Sequence, residues 1–314
     1  MIQPSLLNPQ QTHYQRLMKA QSFAVRGVCV ASTVGIVGIL FLVTGYLFSI
    51  GSKSLSLDFF TRLPIAQGME NAPGGMANGI VGTCVLIAMA SLVGIPVGLL
   101  TGIYLSEYSR DSKLAAPVRF ISDVLSGVPS IVVGILGYEL LVAPWSYWDG
   151  HVRLFGADLR LLPNGEHNGY AGAFALAFIM VPLIARTTEE MLRLVPQSYR
   201  EASIALGATK ARTILTVVVP AATGSLVTGV MLAIARVAGE TAPLLFTAMG
   251  SRFLTCDLSK PFPSLTAQIY EYATGPVKEQ KELAWAGILV LIFMIFILNV
   301  AVRFATRDKH AQGN

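Results

Sequence analysis

Six stretches of this chain are long and apolar enough to cross a lipid bilayer, and they limit its possible folds more than any other feature. A spanning helix needs about 20 consecutive, mostly apolar residues. The stretches are residues 24–50, 77–105, 120–143, 169–185, 214–235 and 284–302. Because backbone polar groups inside a bilayer must be satisfied within the protein, helices are favoured. The sequence therefore predicts an all-α membrane protein, a bundle of about six transmembrane helices.

The composition supports a membrane protein independently of these stretches. Hydrophobic residues make up 53% of the 314 residues and charged residues only 13%, whereas a soluble domain carries about 25% charged residues. The first span is longer than a signal-peptide core and no cleavage pattern follows it, so we expect it to remain as an anchor. One membrane domain is expected over residues 24–303, between an N-terminal tail (1–23) and a C-terminal tail (304–314).

Two of the spans contain residues that disturb a straight helix. The third includes Asp123, Pro129 and Glu139, so we expect it to be bent or partly re-entrant. The fourth is short and carries Pro182, so its ends are poorly defined by the sequence.

Glycines recur along the second span and at its entrance. Gly94, Gly98 and Gly102 repeat every four residues on one face, after Gly75 and Gly79. Small residues let helices approach closely. The same face could line a passage for a small ion, but close packing within the chain or against another subunit is the favoured interpretation.

The basic residues of the loops predict the orientation of the bundle, because Lys and Arg collect in short cytoplasmic loops. One face carries most of them: Arg16, Lys19, Arg26, Arg110, Lys113, Arg119, Arg186, Arg193, Arg200, Lys210, Arg212, Arg303, Arg307 and Lys309. The other face has Lys53, Arg62, Arg153 and Arg160, with Arg252, Lys260, Lys278 and Lys281 in a less decisive fifth loop. Both termini and the loop at about 186–213 are therefore predicted to be cytoplasmic.

That loop contains a polar, basic segment, EASIALGATKARTILTVVVP, at residues 201–220. Ser198 and Glu201 have capping-box spacing, so a short helix is expected from near Ser198 to Gly207, where glycine turns the chain easily. A second helix is expected to begin near Thr209 and enter the membrane. The segment reads as a docking element, and the alternative is an ordinary solvated turn.

The order Glu201-Ala202-Ser203, then Gly207, then Val217-x-Val219-Pro220 closely resembles the EAA loop of permease subunits in ATP-binding-cassette importers. Ser203 in place of an alanine and the two valines before Pro220 depart conservatively from that pattern. The resemblance implies a type I ABC importer permease fold and a separate ATPase that drives it. It also implies an ATPase-coupling role for five residues: Glu201, Ala202, Ser203, Gly207 and Ala208.

Arg236 and Glu240 are charged residues near the end of the fifth span, four positions apart, and are therefore expected on one helical face at its outer end. Charged side chains within a bilayer usually face protein or a water-filled cavity. Pro243 is expected to interrupt the helix just beyond them, and interrupted helices are frequent substrate sites in transporters. The alternative is an ion pair that only stabilises the helix, or a pair lying in water at the interface.

Two segments narrow the resemblance: RVAGETAPLLFTA at residues 236–248 and GGMANGIVGT at residues 74–83 are similar to the phosphate-specific subgroup of these permeases. The likeness covers most of the chain beyond the first 20 or so residues. It implies that Arg236 and Glu240 matter for moving phosphate. Arginine suits this role because its planar guanidinium binds phosphate oxygens in pairs.

The subgroup also implies the partners and the mechanism. We expect a second, related permease, an ATPase dimer, and a periplasmic or extracellular phosphate-binding protein, assembled in the bacterial inner membrane. Alternating access would then move phosphate, with residues 201–209 as the lever between the ATPases and the membrane helices. No cofactor is expected on this chain, and ATP is expected on the partner ATPases.

The charges inside the spans set a limit on this assignment. Asp123, Glu139 and Glu240 outnumber Arg236, so an anion path is not evident from the sum. The second permease could supply further bases, and Glu240 could accept a hydrogen bond from a protonated phosphate oxygen.

Other functions are less well supported by the sequence. The net charge of +5 is scattered over loops that flank the membrane, without the basic stripe of a nucleic-acid site. The cysteines and histidines lack metal-site or disulfide spacing. Without a G-x-x-x-x-G-K-[ST] loop the chain is not expected to hydrolyse ATP or to be an enzyme. Alternatives that remain are a permease for sulfate, molybdate or phosphonate and, below it, an ion-coupled secondary carrier; an intramembrane enzyme ranks last.

Overall fold

The computed structural model describes residues 9–64, 74–108, 113–143, 152–154, 157–159 and 166–307. The helices are, in chain order, α1 (Pro9–Gly51), α2 (Leu57–Thr61), α3 (Ala77–Ile103), α4 (Ala115–Gly127), α5 (Ser130–Leu141), α6 (Gly169–Arg193), α7 (Gln197–Ala205), α8 (Lys210–Thr213), α9 (Val219–Ala238), α10 (Ala242–Thr247), α11 (Leu265–Thr274) and α12 (Lys278–Arg307). Two strands, β1 (Val152–Leu154) and β2 (Ala157–Leu159), pair antiparallel between α5 and α6.

The predicted helical membrane bundle is confirmed. Five helical stretches of the described residues are long and apolar enough to span a bilayer: Met18–Ser54, Ala77–Tyr108, Gly169–Arg193, Lys210–Ala238 and Lys278–Phe304. The pair α4 and α5 makes a sixth if it is counted as one broken span. The short β1–β2 hairpin is an addition that the sequence did not predict.

The predicted bend in the third span is also confirmed, because α4 and α5 meet at 108°. The break falls at Val128 and Pro129, both with extended ψ angles of 131° and 135°. Proline lacks an amide donor and disfavours the helical conformation of the residue before it. Two residues are thus enough to turn the chain sharply between two helices.

Helices α3 and α6 pack against each other through the glycines of α3. A Cβ atom on Gly98 would lie 2.7 Å from Cβ of Ile184, and one on Gly102 would lie 2.5 Å from Cβ of Thr188. Gly94 lies similarly close to Met180. The prediction that these glycines serve helix packing is therefore confirmed, and the packing is within the chain.

Helix α6 runs to Arg193, beyond the end of the span predicted at residue 185. Pro182 lies inside the helix without ending it. The extra turns carry charged residues that are paired: Glu189, which is buried, lies 2.7 Å from Arg119 of α4 and 2.5 Å from Arg193. The predicted end of the span at residue 185 was too early. It was placed where the apolar residues end, but the helix continues through charged residues whose side chains are paired.

Two π-helical segments lie at the end of the bundle that carries α7, called the α7 end below. Residues Tyr104–Tyr108 continue α3, and residues Ile214–Val218 precede α9. Both segments contact the elements around α7: the first contacts α6, and the second contacts α7 and α8. Single-turn π segments inside α-helices are often found at functional sites.

Candidate functional site

Arg236 lies in the last turn of α9, and the helix ends two residues later at Ala238. The amides of Gly239 and Glu240 donate to the carbonyls of Arg236 and Val237, and no helical turn follows until α10 begins at Ala242. Glu240 therefore lies in the break between α9 and α10. The prediction that Arg236 and Glu240 share one helical face was wrong, because the helix ends at Ala238, before Glu240, and not at Pro243.

The break lies level with the middle of α6. Arg236 lines a narrow cavity of about 30 Å³ together with Phe178 and Leu183 of α6. At about 1.5 Å per residue, these two residues lie roughly 14 and 21 Å from Gly169 along a helix about 37 Å long. Arg236 therefore lies at the end of the fifth span, Lys210–Ala238, as the sequence predicted, and this end is level with the middle of α6.

The same cavity is lined by the break between α4 and α5. Val128 and Ser130 stand on either side of Pro129, and both line the cavity with Arg236. Helix α5 starts at Ser130, and its N-cap residue Pro129 provides no side-chain cap. The N-terminus of a helix carries partial positive charge and unpaired amide donors. A guanidinium and a helix N-terminus thus share one cavity, an arrangement that favours an anion.

The two broken spans are held together directly behind this cavity. A Cβ atom on Gly134 of α5 would lie 2.7 Å from Cα of Pro243 of α10. The carbonyl of Glu240 accepts a hydrogen bond of 3.0 Å from the hydroxyl of Thr266, in the first turn of α11. The position of the second break is therefore fixed by α5 on one side and by α11 on the other.

Arg236 and Glu240 make no ion pair with each other or with any other residue that the structure describes. Arg236 is exposed and Glu240 is half-buried in the isolated chain. The alternative of a mutual, helix-stabilising ion pair is therefore not what the structure contains. Since a charge within a membrane protein normally faces a polar space or a partner, these two groups are candidates for a functional site.

The two acidic residues of the third span, Asp123 and Glu139, differ in whether they form an ion pair. Asp123 pairs with Arg186 of α6 at 2.7 Å, so its charge is balanced within the chain. Glu139 is exposed on α5 and has no partner among the described residues. The sequence count gave three acidic residues against one arginine within the spans. Because Asp123 is paired with Arg186, fewer unpaired acidic charges remain near Arg236 than that count suggested.

Helix α7 is the short helix that the loop sequence predicted to start near Ser198, but a different residue caps it. It begins at Gln197 with Pro196 as its N-cap residue, and Ser198 lies inside the first turn. The predicted capping box between Ser198 and Glu201 was wrong, because Pro196 starts the helix two residues earlier. Helices readily begin after a proline since they need no amide donor there.

The end of α7 follows the prediction closely. Gly207 has a φ of +86°, in the left-handed region. Its amide donates to the carbonyl of Ile204, and that of Ala208 donates to the carbonyl of Ser203. This is the Schellman arrangement, which glycine adopts with least strain. Thr209 then caps α8 by accepting from the amide of Arg212 at 3.3 Å.

The exposed face of α7 and its end is partly apolar. Glu201 and Ala202 are exposed, as are Tyr199 and Ile204, and Leu206 is 90% exposed. Apolar groups clustered on a polar loop commonly mark a protein interaction site. The surface formed by Tyr199, Glu201, Ala202, Ile204 and Leu206 is called the α7 surface below.

Three contacts hold α7 and α8 against the bundle and against each other, and none was predicted. Arg200 forms a buried ion pair with Glu107 at 2.6 Å, and Lys210 lies 4.6 Å from the ring centre of Tyr108. The hydroxyls of Ser203 and Thr213 are 2.9 Å apart. Glu107 and Arg200 are 93 residues apart in the sequence, so no local pattern indicated their ion pair, whereas Ser203 and Thr213 are 10 residues apart.

The remaining candidate ligands do not form a metal site. No group of three or more His, Cys, Asp or Glu side chains with metal-binding geometry occurs in the part of the chain that the structure describes. His167 is partly buried near the ring of Tyr138, and burial lowers the pKa of its imidazole. Cys29, Cys84 and Cys256 are free thiols.

Comparison with known proteins places the chain among transport components. A family model described as binding-protein-dependent transport system inner membrane component matches residues 94–309. The phosphate transport system permease protein PstA of Yersinia pestis is 41% identical over 275 residues, 86% of each chain. The protein of the same name from Haemophilus influenzae is 38% identical over 82% of this chain and 84% of its own length.

Solved structures of similar fold come from other ABC transporters. A chain of the MetNI methionine transporter in inward-facing conformations aligns with a TM-score of 0.55, at 19% identity, over 78% of this chain and 99% of its own. A chain of a bacterial ABC transporter involved in import of the acidic polysaccharide alginate aligns with a TM-score of 0.61, at 14% identity, over 94% of this chain and all of its own. These similarities show a shared fold.

Proposed function

The chain belongs to the family of binding-protein-dependent transport system inner membrane components, and from this premise we propose that it is the membrane-spanning permease subunit of an ATP-driven phosphate importer. It is a transport component and not an enzyme, and its fold is that of type I ABC importer permeases. The relatives named for phosphate transport match it over most of its length. The substrate, the path and the coupling residues are argued from the structure below.

The observation that carries the substrate class is the position of Arg236. Its guanidinium has no acidic partner in the described chain, lies level with the middle of α6, and shares a cavity with the N-terminus of α5. An anion entering this cavity would meet one full positive charge and free amide donors. Phosphate fits because a guanidinium binds two of its oxygens at once.

Glu240 has a distinct role in this proposal. It lies in the break four residues after Arg236, outside the lining of the cavity, and its carboxylate is proposed to accept a hydrogen bond from the protonated oxygen of phosphate on the way past. A fully ionised oxyanion such as sulfate offers no such proton and would be repelled. Glu240 is therefore proposed to select phosphate over sulfate, while Arg236 supplies the attraction.

The α7 surface is proposed to bind the ATPase. The loop projects from the bundle, exposes Leu206 and Ile204 and leaves Glu201 without a partner in the described chain. Small residues at Ala202, Gly207 and Ala208 make the loop slim enough for a groove on another protein. Glu201 is proposed to pair with a base in that groove, and Ser203 to hold the loop to α8 through Thr213.

Transport then follows from alternating access. A binding protein delivers phosphate at the end opposite α7, and the ATPase dimer closes and moves the α7 loop. The family implies a second permease, an ATPase and a substrate-binding protein in general; we propose that they are PstC-like, PstB-like and PstS-like subunits respectively. Both termini are proposed to be cytoplasmic. We propose that this chain itself binds no cofactor and that ATP is bound by the partner ATPases.

Uptake of labelled phosphate tests this function. Cells lacking only this chain should lose ATP-dependent phosphate uptake and regain it when the chain is restored. Unlabelled phosphate should compete, whereas sulfate, molybdate and phosphonate should not. If competition comes from one of those three anions instead, the importer assignment stands and phosphate as substrate does not. If uptake follows a proton or sodium gradient without ATP, the chain is a secondary carrier.

A further inference from the structure

Arg200 ties three elements of the chain together. Its guanidinium donates four hydrogen bonds: two to the Glu107 carboxylate at 2.6 and 3.0 Å, one to the carbonyl of Leu192 at 2.9 Å and one to the carbonyl of Val195 at 2.7 Å. Glu107 belongs to the π segment that continues α3, and Leu192 to the last turn of α6. One side chain of α7 is thus bonded to the ends of two membrane helices.

This ion pair is the least exposed of those that the structure describes between two different elements. The side chain of Arg200 is 13% exposed and that of Glu107 is 6% exposed. Both carboxylate oxygens are used by the guanidinium, and Ser106 also donates to one of them at 3.1 Å. A two-point, shielded pair resists changes of distance and of angle, whereas a single exposed contact allows both.

The helices that Arg200 reaches are packed closely against each other. Helix α3 lies against α6 through Gly94, Gly98 and Gly102, with no room for an added Cβ at the last two. Such close contact leaves little freedom for one helix to slide past the other. A displacement of Arg200 is therefore transmitted to α3 and α6 together.

The link from α7 to α9, which carries Arg236, is weaker. It consists of the left-handed turn at Gly207, the hydroxyl pair of Ser203 and Thr213, and the π segment before α9. A turn and one hydrogen bond between hydroxyls flex more easily than a bidentate ion pair. Motion of α7 is thus passed to α3 and α6 more directly than to the helix with the charged site.

We propose that Glu107 and Arg200 form a mechanical joint that transmits movement of α7 to the α3–α6 pair and thereby opens the path beside Arg236. The proposal rests on the proposed function, since it takes α7 as the element that the ATPase moves. Both are positioning residues: they touch neither phosphate nor nucleotide. Breaking the joint should leave basal ATP hydrolysis, measured without the binding protein, intact, while less phosphate is moved per ATP.

A removable covalent link tests the joint. Glu107→Cys and Arg200→Cys are combined in a chain whose Cys29, Cys84 and Cys256 are replaced by serine, and the assembled importer is reconstituted in vesicles. Phosphate transported per ATP should fall about tenfold in this variant, within the range for coupling between separate sites. A bis-methanethiosulfonate that joins the two thiols should restore it, and reduction should abolish it again.

Normal coupling in the unlinked variant would overturn the proposal, and so would a link that forms without restoring coupling. Glu107→Gln is measured in parallel, because it keeps the shape of the side chain and assembles even if the cysteine pair does not. It should lower phosphate per ATP without lowering basal ATP hydrolysis, measured without the binding protein, and unchanged coupling in it would also overturn the joint. Glu271→Gln is the matched control: it breaks an exposed pair with Arg252 away from α7 and should change nothing.

Failure of the joint and failure of the proposed function give different results. If the unaltered importer moves no phosphate, the substrate assignment fails. The joint is then tested by ATP hydrolysis alone. The measured quantity is the increase in ATP hydrolysis that the binding protein causes. Loss of this stimulation in Glu107→Gln supports the joint, and full stimulation overturns it.

Discussion

Gly134 lies directly against Pro243, and this contact joins the two broken spans behind the Arg236 cavity. A Cβ atom on Gly134 would be only 2.7 Å from Cα of Pro243. Because the obstructing atom is backbone, it cannot rotate away as a side chain does. The two breaks, which expose Arg236 and the N-terminus of α5, can therefore lie this close together only because residue 134 has no side chain.

Gly134→Ala is expected to separate α5 from α10. Forcing extra volume into a close contact costs about 1–3 kcal/mol of stability. The thermal unfolding midpoint of the purified chain should fall, and phosphate uptake should fall with it. Gly127→Ala is the control, since no atom lies within 4 Å of its added Cβ. Equal midpoints for the two variants would mean that the contact does not fix the spacing.

Gly207→Val is expected to uncouple ATP hydrolysis from transport. The φ of +86° is strained for any residue with a side chain, and most for a β-branched one. The penalty of about 1–3 kcal/mol should distort the end of α7. Uptake per ATP is compared with that of Gly250→Val, which creates the same kind of strain at a φ of +71° outside the α7 loop. Efficient transport by Gly207→Val would show that the turn is not part of the lever.

Leu206→Ser should weaken ATPase binding without unfolding the chain. Leu206 is 90% exposed, so its removal loses almost no contact within the chain. An apolar contact at the centre of an interface is worth about 1–2 kcal/mol, or roughly a 5- to 30-fold change in affinity. Retention of the purified ATPase on immobilised permease measures it. Leu57→Ser, at an 82% exposed leucine outside the α7 loop, should bind normally.

Thr83→Val should destabilise the junction of α3 with α11. The buried hydroxyl of Thr83 accepts a hydrogen bond of 2.8 Å from the amide of Leu265. Valine has a similar shape but leaves this amide without a partner, which costs about 1–3 kcal/mol. Thr101→Val removes a hydroxyl that bonds only within its own helix. The unfolding midpoint should therefore fall for Thr83→Val and stay near the unaltered value for Thr101→Val.

Local sequence patterns predicted the elements whose causes are local. Apolar runs located the spans, Pro129 marked the bend between α4 and α5, Gly207 the left-handed turn and Thr209 the start of α8. In each case a backbone constraint of one or two residues decides the conformation. Such constraints act in the same way in any surrounding structure.

The sequence failed where competing signals or distant contacts decide. Ser198 and Glu201 fit a capping box, but Pro196 begins the helix first. Glu240 fits the helical spacing from Arg236, but the chain leaves the helix at Ala238. The ion pair of Glu107 and Arg200 joins residues from different spans, and no spacing rule connects them. Tertiary contacts of this kind need the coordinates of both partners.

The central claim is that Arg236 binds the transported anion, and uptake by Arg236→Gln tests it most directly. The variant importer is reconstituted in vesicles with its binding protein, and labelled phosphate uptake is measured beside the amount of assembled complex. The account predicts normal assembly, continued ATP hydrolysis and loss of uptake, because no other charge of the described chain lines that cavity. Uptake at the rate of the unaltered protein would contradict it, and loss of assembly would assign Arg236 a structural role instead.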